Sequence, residues 1–138
     1  MTVTGAQHFT GSLNRGTSCN PNLPSSPGAS SAMLSYASSG PNQVQRELDV
    51  QAPVGTRAFP APPQSQVSIR YSDYEEAGGG ANSDYYDWSN PTSGTLTVDP
   101  GGKSGRIEVD IPYSGDEGHK HPANLYGAVH VTASWNCS

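Results

Sequence analysis

Short runs in which apolar and polar residues alternate, each cut off by proline or glycine, leave this chain little choice but a β fold. The clearest run is the last, Gly127 to Cys137. There Val129, Val131, Ala133, Trp135 and Cys137 fall on alternate positions, and His130, Thr132, Ser134 and Asn136 take the others. A period of two puts the first set on one face of an extended chain and the second on the other. The same period recurs in Gln43–Val50, where Val44, Arg46, Leu48 and Val50 share a face. It recurs again in Gln66–Tyr71, with Val67, Ile69 and Tyr71 inward, in Thr95–Val98, and in Arg106–Ile111, where Ile107, Val109 and Ile111 oppose Arg106, Glu108 and Asp110. Arg46 is the irregular member of its row. On an apolar face it must snorkel at a sheet edge or bind a carboxylate.

Other stretches are read from their punctuation. Residues 2–14 form a first strand with Phe9, Gly11 and Leu13 on one face, and Ala32–Tyr36 a short second strand. Residues 15–31 are a turn-rich loop holding Cys19, because Asn-Pro, Leu-Pro and Ser-Pro disfavour helix. Pro53, Pro60, Pro62 and Pro63 make residues 51–64 an extended crossing or edge segment. Residues 72–93 and 112–124 are expected to be loops. Asp99-Pro-Gly-Gly102 joins Thr95–Val98 to Arg106–Ile111 as a hairpin. One-sided strands bury their apolar faces by packing two sheets together, so the expectation is a single-domain antiparallel β-sandwich over residues 1–138, with roughly seven or eight strands and a closed β-barrel as the competitor. The size is that of an immunoglobulin-like domain, without the Cys…Trp…Cys spacing of antibody domains.

Composition narrows the class further. Only 33% of residues are hydrophobic and 14% charged, with 16 Gly and 12 Pro, so the core is thin and needs support. Two cysteines, Cys19 and Cys137, lie near opposite ends, and no Cys-x-x-Cys or Cys/His cluster offers a zinc site. Paired, they would close a loop around most of the chain, worth about 5 kcal/mol in the chain-entropy account. Such a bond implies an oxidising compartment, hence a secreted or envelope-attached protein. Met1 ahead of Thr-Val-Thr reads as a start added to a mature domain whose export signal has been removed. There is no transmembrane run, and a net charge of −5 argues against nucleic acid or an anionic membrane as partner.

Two stretches carry residue types suited to binding. In residues 71–88, Tyr71, Tyr74, Tyr85, Tyr86 and Trp88 are interleaved with Asp73, Glu75, Glu76, Asp84 and Asp87 around Gly78–Gly80. Aromatic faces stack on sugar rings and carboxylates accept hydroxyl hydrogen bonds. The expected contact set is therefore Tyr74, Tyr85, Tyr86, Trp88, Asp84 and Asp87, with an envelope glycan or another surface protein as partner. Oxygen-rich loops also suit Ca²⁺, although no EF-hand spacing is present. The competing reading is a solvated hairpin whose aromatics pack on the sheet. The second stretch is Asp116-Glu-Gly-His-Lys-His121. Extended, His119 and His121 point to one side and suit Cu, Ni or Zn, with His130 as a third ligand and His8 as a fourth. Solvated loop histidines are the competing reading there.

Catalytic patterns are poor. No G-x-S-x-G elbow occurs, and Gly101-Gly-Lys-Ser104 joins two strands where a phosphate loop would lead into a helix. No catalytic residue and no obligatory cofactor is assigned, and the chain is read as a non-enzymatic binding or structural domain.

The opening Thr2-Val-Thr-Gly5, a cysteine following the first strand, the turn Asp99–Gly102 leading into Arg106–Val109 and a final strand ending in Cys137-Ser138 resemble small secreted and lipid-anchored envelope proteins of actinobacteria, typified by the mycobacterial 19-kilodalton lipoprotein antigen. The resemblance covers the terminal segments, and the acidic aromatic stretch and His119–Pro122 match none of its residues. Nor does any residue match the lipid-bearing N-terminal cysteine of such proteins. What the resemblance implies is an exported, disulfide-closed β-sandwich at the cell surface without a catalytic set.

Overall fold

The computed structural model describes residues 1–11, 17–20, 29–38, 43–62, 66–77, 82–117 and 127–137. Twelve strands form among them: β1 (Thr2–Gly5), β2 (Phe9–Thr10), β3 (Thr17–Asn20), β4 (Ala29–Ala37), β5 (Gln43–Pro53), β6 (Gly55–Ala58), β7 (Ser68–Ala77), β8 (Asn82–Ser89), β9 (Ser93–Val98), β10 (Ser104–Ile111), β11 (Tyr113–Glu117) and β12 (Val129–Asn136). They make two six-stranded sheets, a front sheet in the order β2-β1-β12-β10-β9-β6 and a back sheet in the order β11-β8-β7-β5-β4-β3. Every pairing is antiparallel and neither sheet closes on itself, so the sandwich holds and the barrel does not.

The excess over seven or eight strands has a physical origin. Extended segments bend from one sheet into the other instead of ending in loops. β5 passes into β6 at Val54 and Gly55, where Gly55 adopts a φ of 117° that side-chain-bearing residues avoid. β8 leads into β9 through Asn90 (φ 59°) and Pro91, and β10 into β11 through Pro112. Of the proline-rich 51–64 stretch, Gln51–Pro53 complete the inner strand β5, the chain crosses at Val54, and Gly55–Ala58 form the expected edge strand; residues 63–64 lie outside the described residues. Residues 72–93 are not a long loop: β7 runs to Ala77 and pairs with β8 from Arg70↔Ser89 to Ala77↔Asn82. The expected return loop of 112–124 begins as strand β11, and Cys19 sits on β3, not in a loop.

The core follows the alternation. Leu34, Leu48, Tyr71 and Trp88 form one cross-strand row of the back sheet, all fully buried. Val3, Val131 and Val109 form a row of the front sheet, likewise fully buried. Each such aliphatic contributes about 1.5–3 kcal/mol. Trp135 fills the far end, its indole lying over Gly105, where a Cβ would collide with the ring. The β9–β10 hairpin turns as its sequence dictates. Gly102 N–H donates to Asp99 O at 3.0 Å, and Pro100 followed by Gly101 at φ 95° is the type II pattern.

Arg46 stays on the inward face because its cross-strand neighbour is Asp73. Its Nε donates to Asp73 Oδ2 at 3.2 Å, Asp73 is fully buried, and the guanidinium lies 5.0 Å from the centre of the Phe9 ring on β2. Phe9 also packs on Tyr36 at 4.9 Å, so one ring from the front sheet covers a charged pair of the back sheet. Cys19 and Cys137 form the disulfide, Cα–Cα 6.0 Å, linking the outermost strand of the back sheet to the end of a central front-sheet strand. Cys137 N–H also donates to Lys103 O at 2.8 Å, hooking the β9–β10 turn to the same point.

Candidate functional site

The β7–β8 hairpin sorts the interleaved aromatics and acids by parity. Trp88 lies fully buried among Tyr71 (5.5 Å between ring centres), Tyr86 (6.2 Å) and Tyr113 (5.7 Å), and its Nε1–H donates to Gly127 O at 2.9 Å. Tyr86 is buried as well. These two rings offer no face to an outside molecule, so the expected stacking role for Trp88 and Tyr86 gives way to packing between the sheets. Asp87 points outward and is gripped by Arg70 through two bonds, Nε to Oδ1 at 2.9 Å and Nη2 to Oδ2 at 2.7 Å. Tyr74 is half-buried, next to the inward Asp73. Asp84 and Tyr85 pair through the backbone with Glu75 and Tyr74. A Ca²⁺ ion would need 6–8 oxygens, yet Asp73 and Asp87 are each already bound to an arginine.

His119 and His121 lie outside the described residues, and His8 is exposed between β1 and β2. Among the described residues no three His, Cys, Asp or Glu side chains converge as a metal cluster, and no helix is long and apolar enough to cross a membrane.

His130 is the expected candidate that the structure places in a defined setting. It lies on the outward face of β12, opposite Asp110 on β10, which in turn lies opposite Ser93 on β9. Ser93 Oγ–H donates to Asp110 Oδ2, and Asp110 Oδ1 lies 2.8 Å from His130 Nδ1. The serine hydroxyl first, and the imidazole second, hold the Asp110 carboxyl below the usual carboxylate range. An ionised carboxylate can only accept, so Nδ1–H is the donor in this bond and Nε2 is the ring nitrogen turned away from Asp110. Glu108 Oε1, two residues before Asp110 on the same face, lies 3.9 Å from Nε2. A nucleophile relay requires the imidazole between serine and carboxylate; here the carboxylate lies between them.

Beside this row the front sheet carries an open depression of about 590 Å³, lined by Thr2, Thr95, Arg106, Glu108, Thr132 and Ser134 among others. These are the outward residues of β1, β9, β10 and β12, brought together by register: Thr132 faces Thr2 on one side and Glu108 on the other, and Glu108 faces Thr95. A smaller apolar pocket of about 290 Å³ opens between Phe59, Pro60, Val67, Ile69 and Pro91. Sequence reasoning assigned His130 outward but missed Ser93, Arg106, Glu108 and Asp110. Their outward parity was readable; their convergence depends on strand order and register, which are not.

No protein-family model, curated protein or solved structure matches the chain.

Proposed function

We propose that the protein is a non-enzymatic extracytoplasmic binding or scaffold domain, meeting a polyhydroxylated envelope ligand through the outer face of its front sheet. The observation that carries this reading is the depression of about 590 Å³, in which four hydroxyl side chains surround one cation and one anion, Arg106 and Glu108. Such a mixture of donors and acceptors pairs with the hydroxyls of a sugar at many points. The Cys19–Cys137 bond supports an oxidising compartment, and the resemblance of the terminal segments to secreted envelope proteins agrees with it. The order Ser93, Asp110, His130 supports a role without nucleophilic catalysis.

The test is a binding titration against defined cell-wall oligosaccharides. A charged hydrogen bond contributes about 1.5–3 kcal/mol, so Arg106→Ala is expected to weaken binding by about tenfold or more while Tyr74→Ala leaves it unchanged. The opposite pattern would return the contact to the β7–β8 hairpin, where Tyr74 pairs through the backbone with Tyr85. Absence of binding to every oligosaccharide, or binding indifferent to both changes, would remove the glycan reading.

A further inference from the structure

The row Ser93–Asp110–His130 ends at an imidazole nitrogen, Nε2, facing the Glu108 carboxylate, and that meeting has a chemical meaning beyond glycan contact. With Nδ1–H of His130 committed to Asp110, Nε2 is the ring nitrogen left to bind an ion, and it stands 3.9 Å from Glu108 Oε1. That distance is too long for a hydrogen bond between them. It falls between the separations two ligands adopt around one zinc-like ion, about 3.3 Å at a tetrahedral angle and about 4.2 Å when opposed, given bonds of about 2.0–2.2 Å. At 3.9 Å the angle at an ion bound to both would be about 135–140°, so Glu108, with a side chain 68% exposed, must turn to bring its oxygen about half an ångström closer for a tetrahedral angle.

We propose that His130 Nε2 and Glu108 Oε1 form a two-ligand site for a divalent transition ion on the front sheet, with water completing the coordination. Asp110 is the outer partner that orients the ring, and Ser93 anchors Asp110 in turn. A carboxylate accepting the far N–H of a metal-bound histidine is the usual support for such a ligand. The preference is for an imidazole-binding ion over Ca²⁺, because one nitrogen and one carboxylate fall far short of an all-oxygen shell. The site shares Glu108 with the glycan-facing depression but not Arg106, so Arg106→Ala separates the two readings.

The experiment is calorimetric titration of the disulfide-bonded chain with ZnCl₂, alongside imidazole ¹H–¹⁵N spectra. Binding is expected in the wild type, in Arg106→Ala and in His119→Ala/His121→Ala. It should vanish in His130→Ala, fall at least tenfold in Glu108→Gln, and fall by about 10- to 100-fold in Asp110→Asn. In the spectra of the wild type, the His130 Nε2 resonance should shift on adding zinc while Nδ1 stays protonated, a readout that survives if a variant misfolds. Zinc uptake by His130→Ala equal to wild type, loss of uptake in His119→Ala/His121→Ala, an unmoved His130 Nε2, or no uptake by the wild type would each overturn the assignment.

Discussion

Asp49 and Asp110 are pushed in opposite directions by their surroundings. Burial lifts the Asp49 carboxyl above its ordinary value, partly opposed by Arg70, whereas the hydroxyl of Ser93 and the ring of His130 draw Asp110 below it. The linkage signs follow. Asp110 adds stability above its unfolded-state value, and that contribution is lost as the pH falls through its lower folded value. Asp49 does the reverse: its charged form destabilises the fold above the raised folded value, and the penalty is gone once the pH drops below the unfolded one. Glu47, also lifted by burial and then by the charge of Asp49, reinforces the effect. Asp49→Asn is therefore expected to melt above the wild type at pH 7, with the gap closing near about pH 3, where the unfolded carboxyl is itself protonated. Thermal melts across that range check it, and a variant less stable than wild type at pH 7 would contradict the assignment.

The elements that switch sheets depend on a few backbone positions. Gly94 on β9 is the tightest of them: its φ is 104°, and a Cβ there would press on the Glu108 carbonyl oxygen and come within 2.7 Å of Val109 Cα. Gly94→Ala should destabilise the domain by about 2 kcal/mol or more, from a left-handed backbone and a clash with the neighbouring strand together, as read by denaturant unfolding. A change under about 0.5 kcal/mol would show that β9 and β10 approach less closely. The closing strand, the β9–β10 hairpin and the inward face of Arg46 were legible from a period of two alone, because burial on one face writes itself directly into the residues. The β7–β8 hairpin was legible only in part: Tyr71 reads as inward and a hairpin with packed aromatics was one reading, but Gly78–Gly80 and the density of acids look like solvent-exposed chain and mask the inward parity of Asp73, Tyr86 and Trp88. The pairing of Arg46 with Asp73 and the row from Ser93 to His130 were out of reach for a different reason. Each joins residues brought level by register, and alternation fixes a face without fixing a partner.

At the scale of the whole molecule, the chain begins and ends side by side: β1 lies antiparallel to β12, Thr2 opposite Thr132, and Cys137 follows just beyond. The bond to Cys19 then encloses residues 19–137 in a covalent loop joined at one corner of the sandwich. Under mechanical load this matters more than it does for equilibrium stability. Tension applied at Met1 and Ser138 peels away β1, β2 and the start of β3, then passes through the sulfur atoms and bypasses the other strands, so only residues 1–18 can pay out, about 60 Å of chain at the extended limit. In single-molecule pulling the oxidised protein should yield that short step and then behave as an inextensible link. The reduced protein should lengthen by several hundred ångströms as the sheets come apart. A long step from the oxidised form would show that load reaches the strands between Cys19 and Cys137 despite the bond. The disulfide makes this domain a mechanical fuse whose length is set by thiol chemistry: a tether in an oxidising medium, a spring once reduced.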